Sequence, residues 1–176
     1  MKFRELRADE IECRVSQVNQ YGVELLLYKT SRTDAQILDE TVGPENWQCD
    51  YFTVKNTMFC KVGIYDTQRG WVWKSDAGSP SNVEAAKGEA SDSFKRACSK
   101  WGIGRSLYTA PRVFVVSEKC AKIRQGKNSK LQCYDDFTVE KIRIEEGEIT
   151  GLSIWNRTNG HRAFVWTMEG KESDGQ

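Results

Sequence analysis

The sequence predicts an α+β chain in which an antiparallel β-sheet packs against one long helix, with a β-rich C-terminal extension. Three observations carry that class. Short alternating or apolar runs punctuated by turn residues fill residues 11–74, apolar residues recur at helical spacing from about 81 to 101 with Gly102 just beyond, and strand-like runs resume after Pro111.

In chain order, "IECRVSQV" (11–18) alternates and "GVELLLYK" (22–29) is an apolar run behind a glycine, which together read as a β-hairpin. "SRTDAQILDETVG" breaks the period of two. A cap at Ser31 or Thr33, the apolar Ala35, Ile37 and Leu38, and a stop at Gly43 before Pro44 describe a short helix. Three strands follow near 48–55, 58–65 and 70–74, joined by turns at "KNT" and "DTQRG". "SPSNVE" marks the entry to the long helix, with a capping box between Ser81 and Glu84. Beyond Pro111 come the strand "RVFVV", a basic loop "KCAKIRQGKNSK", two strands turning at "EEGE", a short strand "AFVW" and a polar tail over 169–176 expected to be disordered.

Composition bounds the function. The 176 residues, 39% of them apolar, suit a globular chain with a sizeable core. No apolar run approaches the roughly 20 residues of a spanning helix, and "MKFRELRADE" lacks the apolar stretch of a secretion signal, so a cytoplasmic protein is expected. Six cysteines without a C-x-x-C pair read as core thiols. A zinc site from Cys120, Cys133 and His161 fits no standard spacing, and neither metal nor cofactor is expected.

Charge is segregated along the chain. Residues 87–130 hold eleven basic and three acidic side chains, a net +8 inside a chain whose total is +1. Such a basic middle fits either a solvated face or an electrostatic footprint for nucleic acid. On a helical wheel Val83, Ala86, Ala90, Phe94, Ala97 and Trp101 share one face with Cys98 at its edge. Lys95 lies on the flank of Lys87, Arg96 and Lys100 lie on the other, and Asp92 is expected to point away from the sheet. Ala85, Gly88, Ser91 and Ser93 leave the outer surface low, as close approach of a polymer or neighbouring subunit would require.

These segments resemble the Rad52/Rad22 family of single-strand DNA annealing proteins, in particular its phage and bacterial Sak-like branch. "ILDETVGPENW" (37–47) resembles the family's helix-to-strand junction, "WVWKSDAGSPSNVEAAKGEASDSFKRA" (71–97) its last strand and main helix, and "WGIGRSLY" (101–108) the phage-branch ending. The resemblance implies a β-β-β-α annealing core in residues 1–111, with 112–168 as a β-rich extension of the same domain. It further implies ATP-independent binding and annealing of single-stranded DNA in recombination or break repair by a homo-oligomeric ring. A phage or prophage origin, a bacterial host cell, and a phage nuclease or replication partner would accompany that role.

By resemblance, the family's paired basic residues fall on Lys95 and Arg96, its earlier helical lysine on Lys87, and a groove arginine, one residue offset, on Arg32. Lys74 and Arg105 are weaker additions, Arg105 being equally suited to a structural salt bridge. Annealing needs phosphates neutralised while bases stay available, which lysine and arginine provide without reading sequence. Trp71, Trp73, Tyr65 and Tyr108 are expected near such a groove, although aromatics on strands are more often core.

No catalytic residue is expected. The fragment "GKNS" (126–129) lacks the upstream glycine and hydroxyl residue of a P-loop, and the lone His161 sits in a polar turn. Two alternatives stay open: a metal-dependent nuclease built on Asp66, Asp76 and Glu84, and a single-strand-binding module without annealing activity.

Overall fold

The computed structural model describes residues 1–79, 85–120, 122–126 and 129–168. It is a mixed α+β fold with antiparallel sheets and two α-helices among the described residues. Contacts divide it into two compact units, residues 1–5 with 29–105 and residues 6–28 with 106–176. The N-terminal hairpin pairs with strands that follow residue 111.

In the first unit, α1 (Ser31–Val42) precedes three antiparallel strands, β3 (Trp47–Val54), β4 (Thr57–Asp66) and β5 (Gly70–Ala77), in the order β3-β4-β5. The cap of α1 is Thr30, one residue before the first of the two expected from sequence. Thr30 keeps extended backbone and its Oγ1 accepts the Thr33 amide at 3.3 Å. At the other end the Trp47 indole donates to Asp39 at 2.6 Å. The β3–β4 turn is Lys55-Asn56, both at positive φ (48° and 63°), the two-residue hairpin turn that matches sheet twist.

Strand β5 runs three residues beyond expectation, because Ser75, Asp76 and Ala77 continue the ladder with Lys61, Cys60 and Phe59. Their polarity disguises a pairing that β4 dictates. At Gly78 the chain passes so near α2 (Ala85–Trp101) that an added Cβ would stand 2.1 Å from the Glu89 carbonyl. Ser93, expected on the low outer surface, is instead buried close to that glycine. Asp92, expected to point away from the sheet, accepts the Ser79 amide at 2.9 Å. The chain's own return segment thus makes a close approach for which sequence suggested a ligand or neighbour. Ala86, expected in the apolar face, is exposed, and the proposed Ser81–Glu84 capping box and Val83 lie outside the described residues.

The apolar face of α2 places Phe94, Ala97 and Cys98 in a core shared with Cys60, Val62 and Ile64 of β4 and Ile37 and Leu38 of α1. Trp101 adds an indole hydrogen bond to the Val62 carbonyl (3.0 Å), and Trp47 packs on Phe94 with ring centroids 6.0 Å apart. The helix ends as its sequence predicts. Gly102 takes φ 107°, its amide reaches Ser99 O, and the amide of buried Ile103 reaches Cys98 O, the double bond of a Schellman cap.

In the second unit, β1 (Glu12–Asn19), β2 (Gly22–Tyr28), β6 (Val113–Val116), β9 (Phe137–Glu145), β10 (Glu148–Asn156) and β11 (His161–Thr167) form one antiparallel sheet ordered β11-β10-β9-β1-β2-β6. Val23, Val115, Ile149 and Ile154 are fully buried in it. The "EEGE" turn is confirmed, with Glu146 (φ 52°) and Gly147 (φ 83°) at its centre. The basic stretch expected as loop carries a small hairpin, β7 (Ile123–Gln125) paired with β8 (Leu131–Cys133). The expected tail, residues 169–176, lies outside the described residues.

Candidate nucleic-acid interface

Helix α2 presents two basic flanks with different surroundings. Arg96 and Lys100 both reach the Asp76 carboxylate of β5, each at 3.6 Å, and Lys100 also donates to Ser75 O at 2.7 Å. Lys100 is therefore held by two acceptors, whereas Arg96 keeps one long contact and an exposed guanidinium. On the opposite flank Lys95 is half-buried beside α1, where its charge acts on Asp34. Lys87 is exposed one turn pair earlier and has a partner of its own.

Beneath the Lys95 flank lies a buried ion pair between Lys29 and Asp34. Desolvation pushes the Asp34 carboxyl up to about 6, against the opposing pull of Lys29 and then of Lys95. A carboxylate so placed is stabilised by every cation that can face it, which gives Lys95 a structural reason to stay at this position. Arg32 is exposed in the first turn of α1 and makes no hydrogen bond or ion pair among the described residues. A cation there opposes the helix dipole by roughly 0.3–1 kcal/mol, so the fold alone does not account for it.

Lys74 and Arg105 occupy the other end of α2. Arg105 donates Nε and Nη2 to Ser99 O (3.1 and 3.0 Å) and Nη2 to Lys100 O (2.9 Å). Lys74 donates to the same Lys100 carbonyl at 2.9 Å and lies 4.5 Å from the Trp101 ring centroid. Both cations thus satisfy carbonyls that a helix terminus leaves open, at the negative end of its dipole. Arg105 makes its contacts to main-chain oxygens, in place of the salt bridge considered from sequence.

Three of the aromatic residues expected near the groove lie on the other face of the sheet. Register along β4 and β5 puts Val62, Ile64, Val72 and Lys74 on the face that meets α2, and Tyr65, Trp71 and Trp73 on the opposite face. Those three form an exposed row, with Tyr65–Trp71 centroids 5.5 Å apart and Trp71–Trp73 6.0 Å apart. Lys61 lies 4.9 Å from the Trp73 centroid, and Gly63 leaves the space that ring fills. The signal for this face was the alternation W-V-W-K opposite a glycine, but sequence could not say which side the helix would cover. Tyr108 is exposed and belongs to the second unit.

A nuclease centre receives no support from the acidic residues proposed for it. Asp66 caps the β4–β5 turn, accepting the Gln68 and Arg69 amides at 3.0 Å, while Asp76 faces Cys60 in the ladder. Six ladder positions separate them, roughly 20 Å at strand rise. Asp76 is also matched by two cations, and Glu84 lies outside the described residues. Among the described residues the His/Cys/Asp/Glu cluster with metal-ligand geometry is Cys120, Cys133 and Asp135, so the two cysteines of the conjectured zinc set meet while His161 is not part of the group.

The sequence model described as Rad52/22 family double-strand break repair protein matches residues 4–125, well over half of the chain and the whole of the stretch bearing α1, the three-stranded sheet and α2. No curated protein and no solved structure matches.

Proposed function

From the premise that this chain belongs to the Rad52/22 family of double-strand break repair proteins, we propose that it binds single-stranded DNA and anneals complementary strands without ATP. Membership in a family of annealing proteins that act in DNA repair and recombination supports this reading. In this reading β3, β4, β5 and α2 are the β-β-β-α annealing core, and the Sak-like, phage or prophage branch is its setting. Arg96, Lys95, Lys87 and Arg32 supply phosphate contacts. Lys74 and Arg105 add to the local positive field from their places at the helix terminus. The observation that carries the assignment is the exposed Arg96 guanidinium, held by a single 3.6 Å contact on a helix inside the family match.

The same reading makes the protein a homo-oligomeric ring. Its support is β3, an eight-residue edge strand exposed from Gln48 to Val54, with Tyr51, Phe52 and Val54 open on both sides of the sheet. Long exposed edges template pairing with another chain unless a protein blunts them. A phage nuclease or replication protein would be the natural companion, and a bacterial cytoplasm the compartment. Among the described residues no helix is long and apolar enough to cross a membrane.

The test is fluorescence-polarisation binding to labelled single strands across a salt series, with light scattering on the same samples and gel analysis after incubation with magnesium. Salt-sensitive, sequence-independent binding by an oligomer that leaves strands intact is expected. Failure to bind, or cleavage of the strand, overturns the proposal.

A further inference from the structure

We propose that Cys120, Cys133 and Asp135 form a binding site for a zinc-type divalent cation that clasps the base of the basic β7–β8 hairpin. The two sulfur atoms and a carboxylate oxygen lie within 4.8 Å of one another. Ligand atoms around a tetrahedral zinc stand about 3.5–3.8 Å apart, so small side-chain rotations close the set. Two thiolates beside one carboxylate select zinc or cobalt over magnesium and calcium, which prefer oxygen alone. Three protein ligands leave the fourth position to water.

A second observation shows that the site is built. Asn156, fully buried at the end of β10, donates Nδ2 both to Asp135 Oδ2 at 2.7 Å and to Lys119 O at 3.1 Å. One amide therefore orients the ligand carboxylate and fixes the main chain next to Cys120. Outer hydrogen bonds of this kind are what hold metal ligands in position, and a simple disulfide has no use for the carboxylate. The cysteines also bracket a meaningful segment. Cys133 ends β8 and pairs with Ile123 at the start of β7, and the sequence between the two cysteines carries Lys122, Arg124, Lys127 and Lys130. A hairpin of three residues per strand is marginal unaided, so a cross-link at its base decides whether that cluster of cations is presented as a unit. Binding converts each thiol to a thiolate with release of its proton, and the loaded site (two thiolates, one carboxylate, one dication) carries a net charge of −1 that suits its cationic surroundings.

The experiment uses the full chain, reduced and stripped with a chelator, then titrated with cobalt(II) and back-titrated with zinc. Wild type should bind one cobalt per chain with thiolate-to-cobalt charge-transfer absorption and the strong visible bands of a tetrahedral centre, both lost when zinc displaces it. Cys120→Ser and Cys133→Ser should each abolish the charge-transfer band, Asp135→Asn should weaken cobalt at least tenfold, and Cys49→Ser, in the other unit, should change nothing. Zinc should slow tryptic cleavage after Arg124 in wild type and not in Cys133→Ser. Three results overturn the proposal: no charge-transfer band, a band that survives Cys133→Ser, or recovery of Cys120 and Cys133 as a disulfide that reforms in the presence of zinc.

Discussion

Replacing Lys95 and Arg96 together by alanine puts the proposed phosphate contacts at risk, and the structure sets the size of the effect. Each single-strand phosphate contact contributes about −0.7 to the slope of log affinity against log salt, so two lost contacts flatten it by about 1.4. Between 50 and 200 mM salt the variant's affinity deficit should then shrink roughly sevenfold. The fold should survive, with a modest loss from the Lys95 charge that acts on Asp34 beside its main partner Lys29. Arg96 contributes one exposed 3.6 Å ion pair to Asp76, a contact worth about 0–1 kcal/mol, and Lys100 remains to face that carboxylate. Neither side chain belongs to the Phe94–Ala97–Cys98 core, so no cavity opens. Lys100→Ala is the contrast: it loses a 2.7 Å bond to Ser75 O and the Asp76 contact, so it should cost about 0.5–1.5 kcal/mol of stability while leaving the salt slope unchanged. Fluorescence polarisation across the salt series, with thermal melts and light scattering on the same proteins, makes the measurement. A double variant of normal assembly with wild-type affinity and slope refutes the reasoning.

Three further predictions concern the scaffold. Lys29→Met strands the buried Asp34 without its partner and should cost about 3–5 kcal/mol in denaturant melts, much of it restored by adding Asp34→Leu. Because the Asp34 pKa is raised in the folded state, from 3.8 to about 6, its contribution to stability is fully present below about pH 3.8 and is lost as pH rises through 6; Asp34→Asn should remove that component of the pH profile between 4 and 6, and an unchanged profile contradicts the assignment. Gly78→Ala should destabilise by about 1–3 kcal/mol, since its Cβ would strike the Glu89 carbonyl of α2 and neither main chain can yield without shifting strand or helix.

What sequence could show divides by range. The end of α2 was legible because Gly102 and the apolar residue after it are local signals of a Schellman cap, and the β9–β10 turn because Glu-Glu-Gly-Glu sits between alternating runs. The extra length of β5 was hidden, since Ser75 and Asp76 look like turn residues until β4 lies beside them. So was the company of the N-terminal hairpin: β2 pairs with β6 and β1 with β9 across about ninety and more than a hundred residues, and nothing local announces either partner. For the interface, the flanks of α2 could be drawn from a wheel, but Asp76 between Arg96 and Lys100, and the carbonyls that occupy Lys74 and Arg105, follow only from how β5 and the helix terminus meet. The aromatic row misled for the same reason. Period two fixed that Trp71 and Trp73 share a face, and only the docking of α2 fixed which face that is.

Strand annealing can be followed by mixing two complementary oligonucleotides carrying a donor and an acceptor fluorophore, with and without the protein, in the absence of any nucleotide triphosphate. Energy transfer should appear faster with protein than without it, the acceleration should weaken as salt rises, and the Lys95/Arg96 double variant should lose most of it. Pairing that is slowed or unchanged by a protein that nevertheless binds each strand would contradict annealing and leave a single-strand-binding module in its place.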